Sequence, residues 1–165
     1  MNNNYFSNCL KSAFFILIIV YNITACGVPK EPVNFKAGEH DCHYCKMKIS
    51  DLRFRGQVVT HKGKIHNFDS IECLKAWSGA NMSKINSSWA GDFMQNGKWI
   101  DFNKALILKS DKLKSPMGAG LSAYETRELF NKAEAQYNGS LISGEEFNLY
   151  INEWKSKIFK KQPRR

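Results

Sequence analysis

Residues 53–79 read RFRGQVVTHKGKIHNFDSIECLKAWSG. Arg53 to Thr60 has the apolar spacing of a strand, with Phe54 and Val58 expected on one face. Lys62-Gly63-Lys64 supplies a hairpin turn, and Ile65 to Phe68 is the returning strand. If Gly63-Lys64 forms a type II′ turn, His61 and His66 face each other; two histidines on an exposed hairpin are more often solvated than metal-bound. Asp69 followed three residues later by Glu72 matches a capping box at a helix start. That helix would bury Ile71, Leu74 and Trp77 and stop near Gly79. Strand, turn, strand and helix thus follow one another within a short stretch.

The downstream sequence repeats this plan. Trp89 to Met94 and Lys98 to Phe102 flank Asn96-Gly97, a strong hairpin signal. Ala105 to Leu108 is a further strand candidate, and Ser115-Pro116-Met117-Gly118-Ala119-Gly120 is a glycine-rich turn. A helix from about Glu125 to Tyr137 ends at Asn138-Gly139, the usual stop. Leu141-Ile142 forms a short strand. Beyond Glu145, the residues Phe147, Tyr150, Ile151, Trp154 and Ile158 mark one face of a last helix. The expected fold class is α+β, antiparallel hairpins packed on helices.

The two ends are set apart from this domain. Residues 1–25 carry one charged side chain, Lys11, before the apolar run Ala13 to Val20, which is short for a bilayer span and suited to a secretion signal. Ile23-Thr24-Ala25-Cys26 then resembles the bacterial lipobox, which makes Cys26 the expected lipidated first residue of the mature chain. With roughly 0.8 kcal/mol for each buried CH₂, several acyl chains would hold such a protein on its membrane. The expected location is the cell envelope, on the outer membrane facing the periplasm. Residues 26–38, with Pro29, Pro32 and Gly38, read as a tether, residues 39–160 as the domain and 161–165 as a basic tail. Losing Lys11 with the leader takes the formal charge from +9 to +8. For an exported protein, a solvated tail, an anionic membrane surface or an acidic partner suits that excess better than nucleic acid does, and the charge by itself assigns no specific function.

Cysteine chemistry narrows the function. With Cys9 in the leader and Cys26 lipidated, Cys42, Cys45 and Cys73 remain, an odd number for an exported chain. Oxidising compartments consume spare thiols, so a retained one points to a ligand, a redox role or deep burial. Cys42-x-x-Cys45-x-Met47 sets two thiols and a thioether within six residues, and such soft donors select Cu(I). If residues 45–49 begin a strand, Cys45 and Met47 share a face; Cys42 joins them only where the chain turns. His40 and His43 lie near enough to act as nitrogen ligands. Met117, between Pro116 and Gly118, sits in a turn and is a further soft-ligand candidate, whereas Met82 and Met94 read as packing or exposed residues. Cys73, alone on its helix, is more often a small buried residue than a ligand.

Rival readings use the same residues. Haem attachment fails because Lys46, not histidine, follows Cys45. A thioredoxin-like pair belongs at a helix start after an apolar strand, and the segment before Cys42 is polar. A structural zinc site of Cys42, Cys45, Cys73 and a histidine is the main competitor. A Cys42–Cys45 disulfide leaves Met47 unexplained.

Several ordered elements resemble the NosL family, the accessory lipoproteins of nitrous oxide reductase biogenesis. They are the lipobox ending at Cys26, Cys42-x-x-Cys45-x-Met47, Phe68-Asp69-Ser70-Ile71-Glu72-Cys73-Leu74, Trp99-Ile100-Asp101 before Ala105, and Ser115-Pro116-Met117-Gly118 before Ala123. Together they span roughly residues 40–125. One departure is Lys46, where the family commonly has glycine. The resemblance implies two small related ββα-type units. It also implies a non-enzymatic periplasmic chaperone that supplies Cu(I) to apo-nitrous oxide reductase or its maturation machinery. The family's copper ligands carry over to Cys45 and Met47, then Met117, with Cys42 beside them and Cys73 and His43 as further candidates. The readings from other classes are a thiol-disulfide oxidoreductase and a zinc-stabilised binding module.

Overall fold

The computed structural model describes residues 28–160; the leader, Cys26 and the basic tail lie outside the described residues. Strand β1 (Gly56–Thr60) pairs antiparallel with β2 (Ile65–Phe68), with Val58 opposite His66 and Val59 opposite Ile65. His61 therefore does not face His66. The turn closes between Thr60 and Lys64, and the His61 N–H donates to the Lys84 carbonyl. Phe54 precedes β1 and packs in a different cluster from Val58, so the expected shared face is not formed.

Helix α1 (Ile71–Gly79) lies on this hairpin, burying Ile71 and Leu74. The approach is close: a Cβ on Gly56 would meet the Leu74 side chain at 3.0 Å. Strand β3 (Ile85–Gly91) pairs with the other edge of β1, and β4 (Trp99–Asp101) pairs with β3, giving the antiparallel order β2-β1-β3-β4. The hairpin around Asn96-Gly97 thus completes the first sheet instead of opening a second unit. Gly97, at φ +87, supplies the left-handed residue that its turn needs.

The second sheet has the order β6-β5-β7, from β5 (Leu106–Lys109), β6 (Leu121–Tyr124) and β7 (Ser140–Ile142). It carries helix α2 (Arg127–Tyr137), which Thr126 caps by accepting the Leu129 N–H and Asn138 ends in the left-handed conformation. The second strand-strand-helix unit is therefore β5-β6-α2. Helix α3 (Gly144–Lys160) follows and packs against α1.

Strand periodicity divides the interior. Ile107, Leu121 and Ala123 join the main core with Ile71, Leu74, Phe147, Ile151 and Trp154. Leu108 and Tyr124, on the opposite face, meet Phe130 and Ala133 of α2 together with Phe54 and Phe93. The N-terminal segment also docks. Phe35 is buried in the main core, and Val33 exchanges hydrogen bonds with the Gln57 side chain. Residues 33–35 of the segment read as tether thus lie against the domain.

Candidate metal centre

The backbone from His40 to Ile49 closes into a tight loop. The Cys42 N–H donates to Met47 O at 2.7 Å, the Lys46 N–H to Cys42 O at 3.0 Å, and the Ile49 N–H to His40 O at 3.0 Å. Asp41 and Lys48 bridge across it, with an ion pair at 2.7 Å. A hydrogen bond from His43 N–H to Asn67 O pins the loop to β2. Residues 43–45 form a turn and residues 46–49 are not the expected strand start, Lys48 making only an isolated bridge to Asp41, and Lys46 occupies the left-handed region at φ +67. This turn brings Cys45 back towards Cys42, and the Met47 N–H onto the Cys45 sulfur.

Helix α1 supplies the other half of the site. Its N-cap is Ser70, whose Oγ accepts the Cys73 N–H at 3.4 Å, one residue later than the expected cap at Asp69. That one-residue shift frees two carboxylates, Asp69 and Glu72, from capping. The sulfur atoms of Cys42, Cys45 and Cys73 and a carboxylate oxygen of Asp69 all lie within 4.8 Å of one another. All three cysteines are free thiols. Cys42, Cys73 and Asp69 are buried, and only Cys45 reaches the surface.

The thiols differ in their hold on a proton. Cys42 is pushed well below the ordinary thiol range, first by hydrogen bonds from the Cys45 and Cys73 side chains and further by the backbone N–H groups of Cys45 and Asp69. Cys45 is raised to about 12 because its proton is held on Cys42. Cys73 is raised most strongly, by the same sharing and by burial. Asp69, which accepts from Cys45 Sγ at 3.5 Å, is lifted to about 6 by burial and by the charge on Cys42. The three sulfurs and the Asp69 carboxyl thus form one proton-sharing cluster.

Met47 is 49% exposed beside this loop, and its carbonyl is a loop-closing acceptor. Met117 is half-buried against the main core, its carbonyl accepting from Trp154 Nε1 at 3.1 Å; the Trp154 ring in turn lies 6.4 Å from that of Tyr44. The turn carrying Met117 is tied to α1 by Glu72. One Glu72 oxygen accepts from Ser115 Oγ at 2.6 Å and from the Ala119 N–H at 3.4 Å. His43 is not one of the four converging groups. Its ring stacks 4.0 Å from His66 and meets Trp77 and Phe68 edge-on.

The NosL family model matches residues 32–149. The chain belongs to the NosL family. A solved structure of similar fold is that of the copper chaperone NosL from Shewanella denitrificans, 19% identical, with a TM-score of 0.62 over 72% of this chain and 96% of that one. No curated protein matched. Lys46 keeps a left-handed backbone conformation that glycine adopts freely. Sequence reading missed Asp69, which it assigned to helix capping, while Cys73, a lower-ranked ligand candidate there, is brought into the cluster. The signal for Asp69 was present in Phe68-Asp69-Ser70, where Ser70 is as good a cap as Asp69.

Proposed function

We propose that the protein is a copper(I) chaperone, a carrier and not an enzyme. The observation that carries this reading is the convergence of Cys42, Cys45 and Cys73 in one partly open cluster. Sulfur donors in that number favour a soft monovalent ion. Cu(I) offsets only one thiolate charge, so a buried site does best with few ionised sulfurs. Cys42 and Cys45 therefore form the core of the site. Cys73, buried on α1, completes the sulfur set, and Met47 and Met117 supply neutral thioether donors. Cys45, the exposed member, is where an incoming ligand attacks. The ion then passes through shared-ligand intermediates without being released.

Membership of the NosL family supports delivery to apo-nitrous oxide reductase or its maturation machinery. The lipobox-like segment supports attachment to the envelope membrane through Cys26, facing the periplasm. The oxidoreductase reading is disfavoured by the burial of Cys42, the sulfur most easily ionised, which a substrate disulfide would have to reach. A zinc module retains one favourable feature, because three thiols and Asp69 make a four-donor set.

An anaerobic Cu(I) titration against a chromophoric chelator tests the proposal. One equivalent should bind tightly. Cys42→Ser and Cys45→Ser should each weaken binding by at least about 100-fold, and Cys73→Ser and Met47→Leu by less, with the fold retained. Unchanged affinity in both Cys42→Ser and Cys45→Ser would contradict the assignment.

A further inference from the structure

Beside the cysteine loop lies a groove of about 500 Å³ that the copper site does not use. His43, which sits between Cys42 and Cys45 in the chain, forms one wall with His66 and Trp77, and exposed Lys62, Lys64 and Lys84 surround it. No aspartate or glutamate lines it. Among the described residues, none of the three lysines is in an ion pair; Lys84 donates only to the Asn81 side chain. Positive charge is therefore concentrated where the surface meets the metal loop, and it would repel a free copper ion.

We propose that this groove docks an acidic segment of the protein that exchanges copper with the cluster. Carboxylates of that segment pair with Lys62, Lys64 and Lys84, while the Trp77 ring covers its aliphatic stems. The inference rests on the carrier reading and adds the chemistry of the partner. Docking there would place the incoming ligand against the loop that carries Cys45. The same field that discourages the bare cation would speed encounter with an acidic protein.

The test uses the full chain, reduced and in non-ionic detergent, with an octaglutamate peptide as probe and NMR of the tryptophan indole and histidine ring signals as readout. Octaglutamate should shift Trp77 and His66, with affinity falling steeply as salt rises. Reversing Lys62, Lys64 and Lys84 to glutamate should weaken it at least 10-fold. The same number of reversals at Lys132, Lys155 and Lys157 should change it less than 2-fold. Equal loss in both triple variants, or shifts confined to residues outside the groove, would overturn the proposal. So would anionic vesicles (one-third phosphatidylglycerol in phosphatidylcholine) shifting Trp77 where octaglutamate does not. Cu(I) affinity, measured in parallel, should be the same in the groove variant as in the wild type. A wild-type protein that binds octaglutamate but not Cu(I) would instead contradict the carrier reading.

Discussion

The residue that shapes the metal loop most directly is Lys46. A side chain at φ +67 costs about 1 kcal/mol relative to the ordinary basins. Its N–H donates to Cys42 O, and its Nζ to His43 O at 2.7 Å, so the loop itself holds the strained conformation in place. Lys46→Gly should relieve that strain at the expense of a freer unfolded chain. The expected net stabilisation is about 0.5 kcal/mol, read as a higher urea midpoint with Cu(I) affinity changed less than about 3-fold. A midpoint lowered by 1 kcal/mol or more would show that the lysine side chain holds the loop together. The approach of Cys42 to Cys45 was legible from spacing alone, because only two residues separate them. The place of Asp69 was not legible. Its contact with Cys45 spans 24 residues, and it depends on whether the helix is capped at residue 69 or at residue 70.

Among the elements, the joint between α1 and the Ser115–Ala119 turn is the most informative. Glu72 is fully buried there, and its second oxygen has no hydrogen-bond partner among the described residues. Burial raises its carboxyl to about 7. A carboxyl raised in the folded state above its unfolded value of 4.5 keeps a proton that the unfolded chain gives up between those two pH values. The contribution of Glu72 is therefore largest below pH 4.5, falls as pH rises towards 7, and levels off above that. The loss is on the order of 3 kcal/mol by the usual 1.36 kcal/mol for each pH unit. Chemical denaturation of the metal-free, reduced protein at pH 5 and pH 8 should show this contribution as the difference between the wild type and Glu72→Gln, the wild type losing more stability than the variant as pH rises. A variant with the same pH slope as the wild type would contradict the assignment. Elements with local signals were readable from sequence: β2 begins and ends where its alternation places it, and Asn138 ends α2. Strand β6 was not. Leu121 to Tyr124 is buried on both faces, so polar-apolar alternation is absent, and the Ser122 hydroxyl is satisfied internally by Tyr124 Oη at 2.8 Å.

At the scale of the whole molecule, two strand-strand-helix units enclose one main core. The metal centre stands where the N-terminal loop meets the start of α1, with the turn that carries Met117 held against that helix. The pairing of units was visible in the order of turns and helices, but the membership of the sheets was not. The Asn96-Gly97 hairpin looks locally like the start of a second unit, and only the pairing of β3 with β1 assigns it to the first sheet. The same long-range closure brings Cys73 to Cys42 and Cys45. X-ray absorption at the copper edge, on protein loaded anaerobically with one equivalent of Cu(I) in the presence of equimolar zinc, tests this arrangement most directly. Sulfur-dominated coordination in the wild type, with one sulfur fewer in Cys45→Ser, is the predicted result. A nitrogen- or oxygen-dominated shell, or zinc occupying the site while copper stays in solution, would contradict it.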